Sequence, residues 1–186
     1  NLAPLVRWFD DLSLDDIPIV GGKNASLGEM VRELKSQGVR VPNGFAISAF
    51  SYFHHLEENK LENSIRKTLE NLDITNVIDL QQKGSSVREI ILSKPLPSGL
   101  LHSIISAYES LEKIGGKNVA VAVRSSATAE DLPNASFAGQ QDSFLNICGC
   151  DAVISACRRC MASLFNDRAI SYRVIKGFDH FRVGLS

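Results

Sequence analysis

Three residues in this chain have the types and surroundings to handle a polyphosphate. Arg124 ends the alternating run Val119 to Val123, which reads as a strand with its valines on one side and Arg124 on the other. A guanidinium offers a planar fork of donors and stays charged near neutral pH. Behind it comes a long loop of small and polar residues, closed by the strand-like Phe144 and Leu145. Gly139 in that loop would let the backbone approach a ligand closely, since it has no Cβ. Lys23 follows the pair Gly21-Gly22 at the start of a helical pattern. The first N–H groups of a helix are unpaired and lie at the positive end of its dipole, which suits an anion, and Lys23 would add a mobile charge. The G-x-x-x-x-G-K-[ST] spacing of a Walker A loop is absent. Both features also have plain readings: Arg124 pairs with Glu130 or Asp131 across a hairpin connection, and Lys23 is a solvated lysine after a turn.

The elements that must position these residues alternate short strands with amphipathic helices, a mixed α and β (α+β) class. Val6 to Phe9 reads as an edge strand and Asp10 to Pro18 as acidic turn. Leu27, Met30, Val31 and Leu34 form a helical stripe that stops at Gly38. Val39 to Ile47 reads as strand, with Pro42 confining its start to an edge or bulge. Ser48 can cap a helix carrying Phe50, Phe53 and Leu56 inward, with His54 and His55 on the surface. Leu61, Ile65, Leu69 and Leu72 mark another helix, and Val77 to Leu92 a weaker one. Pro95 and Pro97 break the pattern. Ser98 then caps a helix bearing Leu101, Ile104, Ile105, Tyr108 and Leu111, ended by Gly115-Gly116. Asp151 can cap a helix with Val153, Cys157, Cys160, Met161 and Leu164 on one face. Asn166-Asp167 cap its continuation through Val174, with Gly177 at the end. Arg168 and Arg173 on that continuation could serve a phosphate, though helix-surface charges are usually solvated.

Composition narrows the function. The chain has 186 residues, suited to one domain or a large subdomain, and a formal net charge of −1, which gives no sign of a nucleic-acid or acidic-membrane surface. No apolar run approaches the ~20 residues of a bilayer span. Cys148, Cys150, Cys157 and Cys160 have spacings that could ligate zinc, but Cys157 and Cys160 fall on an apolar helix face, where free cysteine packs as a small hydrophobe. A reducing, cytoplasmic setting accounts for them simply. The sequons at Asn24 and Asn134 read as chance matches. The start without Met and the end of Phe181 to Ser186 without a closing element read as a processed or truncated chain.

Three stretches resemble the phosphoenolpyruvate synthase (pyruvate, water dikinase) family, in that family's order and spacing. They are V-G-G-K-N-A-S-L-G-E-M at Val20 to Met30, V-A-V-R-S-S-A-T-A-E-D-L-P with A-G-Q-Q-D-S-F-L-N-I at Val121 to Ile147, and A-S-L-F-N-D-R-A-I-S-Y-R-V-I-K-G-F-D-H at Ala162 to His180. The resemblance implies an ATP-grasp-like nucleotide-binding unit, of which residues 1–186 would be the N-terminal part. In that family ATP phosphorylates a histidine on a mobile domain, which carries the phosphoryl group to pyruvate at a barrel. ATP, pyruvate and water become phosphoenolpyruvate, AMP and phosphate, with Mg²⁺. By the same resemblance Lys23 and Arg124 contact ATP phosphates, and Gly139, Gln140, Gln141, Asp142 and Ser143 belong to the phosphate loop. The phosphocarrier histidine, the Mg²⁺-holding carboxylates and the barrel are expected outside this chain. The chain alone should then show little or no catalysis and weak nucleotide binding at best, with Glu130 to Gln140 mobile. Rifampicin phosphotransferase shares much of the central stretch and is the alternative within the wider family. Pyruvate, phosphate dikinase differs at A-G-Q-Q-D-S. A reading of another class is a non-catalytic binding module that keeps the fold.

Overall fold

The computed structural model describes residues 4–128 and 142–186. Among them are seven α-helices and four strands, the strands in two separate antiparallel pairs, which is a mixed α and β fold dominated by helix. Strand β1 (Val6–Trp8) pairs with β2 (Phe45–Ile47) in the register Val6↔Ile47, and Trp8 meets Phe45 edge-on at 5.8 Å. The strand expected from Val39 to Ile47 is therefore only three residues long. Val39 instead donates its N–H to Leu34 O and closes the preceding helix. Gly44 lies under the Phe9 ring, where a Cβ would sit 2.5 Å from a ring carbon.

Between β1 and the first helix run two 3-10 turns, Phe9–Asp11 and Leu14–Asp16. Asp16 accepts from both the Ser13 N–H and the Ser13 hydroxyl. Helix α1 (Ile17–Ser36) is broken at Gly21, whose φ of 74° and ψ of 162° no side-chain-bearing residue adopts easily. Its buried face is Ala25, Gly28 and Val31. The expected stripe was thus displaced: Val31 is buried, Leu27 and Leu34 are half-buried, and Met30 is 47% exposed. The reason is Gly28, where a Cβ would stand 2.5 Å from Leu12 Cβ, so the closest packing runs through a glycine that a hydrophobic pattern does not count.

Helix α2 (Ala49–Glu58) starts after Ser48, which holds the cap position without making a capping bond; its hydroxyl faces that of Ser51 at 3.2 Å. Tyr52 and Leu56 point into the core and Phe53 is half-buried, while Phe50 stays 36% exposed. His55 is buried and not on the surface as its sequence position had implied: its ring nitrogen Nδ1 meets the Asn59 amide at 3.2 Å, and burial lowers its pKa. His54 is on the surface beside Glu58. Helix α3 (Leu61–Thr68) buries Leu61 and Ile65, and α4 (Val77–Ser93) is capped by the Asn76 side chain. Helix α5 (Ser98–Gly115) follows Pro97 at the cap position, so Ser98 is its first residue rather than its cap. It buries Leu100, Ile104, Ala107 and Tyr108.

Strands β3 (Val121–Arg124) and β4 (Ser143–Ile147) form the second pair. Helix α6 (Cys150–Ser163) follows Gly149, which takes the cap position expected of Asp151 and donates its N–H to the Tyr108 hydroxyl at 2.8 Å. Helix α7 (Asp167–Lys176) begins at Asn166, whose side chain accepts from Ala169 N, and ends at Gly177 with φ 69°. The main core gathers α2 to α7 around Tyr52, Ile65, Ile104, Tyr108, Phe165 and Ile170. A smaller one holds Leu12, Val20, Ala25 and Ala46 under α1. After α7 the chain packs back on the core: Val183 and Leu185 are buried, and Leu185 bridges to Ala127.

Candidate functional site

The segment after β3 is where distant parts of the chain meet. Gly21 packs against it so closely that a Cβ there would lie 2.3 Å from Ser126 Oγ and 3.0 Å from Ala127 O. The positive φ of Gly21 and this lack of room are two separate reasons for glycine. The break divides the helix, which resumes at Gly22 directly after the contact with Ser126. Lys23 stands exposed in that turn. On the other flank, Ser126 and Ser186 exchange both backbone hydrogen bonds at 2.8 Å. Thr128 N–H donates to Gly184 O at 3.0 Å, and Gly184 N–H donates to the Thr128 hydroxyl at 3.1 Å.

Arg124 lies at the exposed end of β3, paired in register with Ser143, and its Nε–H donates to Ser143 Oγ at 3.4 Å. The two valines of the strand turn toward the core and Arg124 turns away, as the alternation required. Asp142 is exposed next to Ser143, and its charge helps keep the Cys160 thiol up. Thus Arg124, Asp142 and Ser143 share one end of the hairpin, and Lys23 belongs to the arm that packs on Ser126. Gly139, Gln140 and Gln141 lie outside the described residues, as do Glu130, Asp131, Asn134 and the whole Glu130 to Gln140 stretch.

Ser125 and Ser126 are residues that sequence reasoning passed over. Both are buried, at 4% and 1% exposure, and among the described residues neither hydroxyl has a hydrogen-bond partner. Buried hydroxyls are normally satisfied, which sets these two apart from the rest of the core. Their signal was present in S-S directly after the arginine. What concealed it is that hydroxyl burial depends on Gly21 and Ser186, which are far away in the chain.

Two other candidate sets resolve differently. Arg168 is exposed, but Arg173 is fully buried and is no solvated helix charge. Its Nη2 donates to Leu164 O at 2.6 Å, its Nε to His180 Nδ1 at 2.8 Å, and its guanidinium lies 5.0 Å from the Phe165 ring centroid. A guanidinium only donates, so His180 Nδ1 carries no proton and the ring is neutral. Burial, reinforced by Arg173, pushes His180 down to about 4; burial also lowers Arg173 to about 10. The four cysteines are free thiols. Cys157 and Cys160 pack in the core, and burial pushes each up to about 12, which makes them inert hydrophobes. Among the described residues no group of three His, Cys, Asp or Glu could hold a metal ion.

A break in α1, a strand-terminal arginine and two buried serines thus lie along the contact of Gly21 with Ser126. The chain belongs to the pyruvate phosphate dikinase AMP/ATP-binding domain family, whose model matches residues 17–186. Among individual relatives, it is 51% identical over 183 residues to the phosphoenolpyruvate synthase of Aquifex aeolicus, covering 98% of this chain and 21% of that protein. It is 52% identical over 182 residues to that of Neisseria meningitidis (97% and 23%) and 48% over 184 residues to that of Escherichia coli K12 (99% and 23%). The chain therefore spans less than a quarter of the length of these curated relatives.

Proposed function

We propose that residues 1–186 are the N-terminal part of an ATP-grasp-like nucleotide domain and form one wall of its ATP site. In this reading Lys23 and Arg124 neutralise phosphate charge, while Gly139, Gln140, Gln141, Asp142 and Ser143 line the loop around it. The observation that carries the reading is the packing of Gly21 on Ser126, which joins the V-G-G-K arm to the V-R-S-S arm without room for a Cβ. Phosphoryl transfer is largely positioning and neutralisation of developing charge, and a wall of donors serves both. The whole protein would be a phosphoenolpyruvate synthase, converting ATP, pyruvate and water to phosphoenolpyruvate, AMP and phosphate through a phosphohistidine. The name carried by the relatives favours this over a rifampicin phosphotransferase. The remainder of the same polypeptide is then the principal partner, and the cytoplasm the setting. No helix among the described residues is long and apolar enough to cross a membrane. Mg²⁺ belongs to this chemistry, and among the described residues no group of three His, Cys, Asp or Glu could hold it.

The test is a calorimetric titration with Mg-ATP of this chain and of the complete polypeptide, each beside its Arg124→Ala version. Saturable binding that is weakened at least tenfold by the substitution is expected in the complete polypeptide. Equal binding by both versions would overturn the assignment of Arg124, and no binding by the complete polypeptide would overturn the nucleotide site.

A further inference from the structure

The two arms of the proposed site are joined by a third segment that the phosphate chemistry does not use. Asn24 directly follows Lys23. Its side-chain Nδ2 donates to Val20 O at 3.0 Å, across the Gly21 break, and to the Ser186 hydroxyl at 2.9 Å. Ser186 in turn exchanges both backbone bonds with Ser126, two residues after Arg124. One residue therefore holds the α1 arm with its side chain and the β3 arm with its main chain. Asn24 is half-buried, and both of its amide hydrogens are engaged, so it is a poor acceptor for a glycan and a good strut.

We propose that Asn24 and Ser186 are positioning residues that set the spacing between Lys23 and Arg124 for a nucleotide polyphosphate. The inference rests on the nucleotide reading of the site. A phosphate chain bridging two cationic side chains is bound well only if their separation is fixed beforehand, because a loose pair must be ordered at the moment of binding. Gly21 permits the two arms to touch. The Asn24–Ser186 bond prevents them from sliding apart along that contact. Neither residue touches the phosphate in this scheme; each acts through its neighbour.

The experiment measures Mg-ATP affinity and thermal midpoint in the complete polypeptide for S186A, S186T, N24A and the N24A/S186A pair, beside K23A and R124A. Ser186→Ala keeps both main-chain bonds to Ser126 and removes only the acceptor for Asn24. It is expected to weaken ATP binding ~3- to 10-fold, the range of one hydrogen bond, with the midpoint within about 2 °C of the parent. Ser186→Thr should restore affinity. The double variant should bind no more weakly than N24A alone, since the two residues act as one strut. Unchanged affinity in S186A overturns the proposal. So does a loss matched by a fall in thermal midpoint and not repaired by threonine, which would mark a purely structural bond. If K23A and R124A bind like the parent, the nucleotide reading fails and the strut's role falls with it. If those two lose affinity and S186A does not, only the strut fails.

Discussion

Two arginines from two quoted motifs are used in opposite ways. Arg173 is sealed inside the core, with its Nε and Nη2 donating to the ring of His180 and the carbonyl of Leu164 and an aromatic face beneath it. Arg124 stands at the open end of a hairpin with, among the described residues, one long side-chain hydrogen bond, to Ser143. A buried guanidinium must be ordered by the fold, because an uncompensated charge away from water is costly. An exposed one with a single weak partner costs the fold little and keeps most of its donors for something else. The same residue type thus serves architecture in one place and, in the function proposed above, recognition in the other. Burial, not sequence context, separates the two.

That contrast can be broken by substitution. Arg173→Ala should be the most damaging change, destabilising the chain by about 3–5 kcal/mol through loss of packing and an orphaned Leu164 carbonyl, read as a fall in the urea midpoint. Arg124→Ala should move the same midpoint by less than ~0.5 kcal/mol, while costing the complete polypeptide ~10- to 100-fold in Mg-ATP affinity. If the two results were exchanged, the contrast would be inverted. Gly21→Ala should fall between them, costing about 2 kcal/mol because both its backbone angle and its contact with Ser126 are denied; it should also separate the arms, seen as faster amide exchange at Ser126 and Ala127. The architectural side also predicts a pH effect. His180 binds its proton less readily folded than unfolded, so the unfolded chain takes up more protons as pH falls from about 6.5 toward 4. Stability contributed by the Arg173–His180 bond is complete above that window and lost within it. An acid titration of the melting midpoint should show this slope, and His180→Gln should flatten it. The smallest effect belongs to Tyr52→Phe. The hydroxyl is buried, with no hydrogen-bond partner among the described residues, so removing it should change stability by less than ~1 kcal/mol in either direction.

What could be read from the chain follows the same division. Local chemistry was legible: Asn166 and Gly177 bracket α7 as cap and stop, Leu61 and Ile65 face inward, and the valines of β3 alternate with Arg124. Each of these is decided within about a turn or two of backbone. His55 was misread because adjacent histidines on a helix carry no sign of which one the core will cover. Arg173 was misread because its partner His180 sits beyond the helix end, in a segment with no periodic pattern. Met30 lost its place in the stripe to Gly28, since close approach can bury a position that has no side chain at all. At the candidate site, Lys23 and Arg124 were visible as residue types and through the family resemblance. The packing of Gly21 on Ser126, which joins their segments, was not, because no local rule links residues so far apart in the chain.

That separation has a bearing on how the protein is made. The bond from Asn24 to Ser186 joins residues 162 positions apart, and the bridge from Ala127 to Leu185 anchors the segment that carries Ser186. A ribosome delivering the chain from its N-terminus would release α1, with Lys23, long before the segment that anchors it. Contacts this distant in sequence form slowly and only once both ends are available. A nascent chain therefore lacks the Asn24–Ser186 contact until residue 186 has emerged, and the arm that carries Lys23 waits unanchored while the 162 positions that follow Asn24 are made.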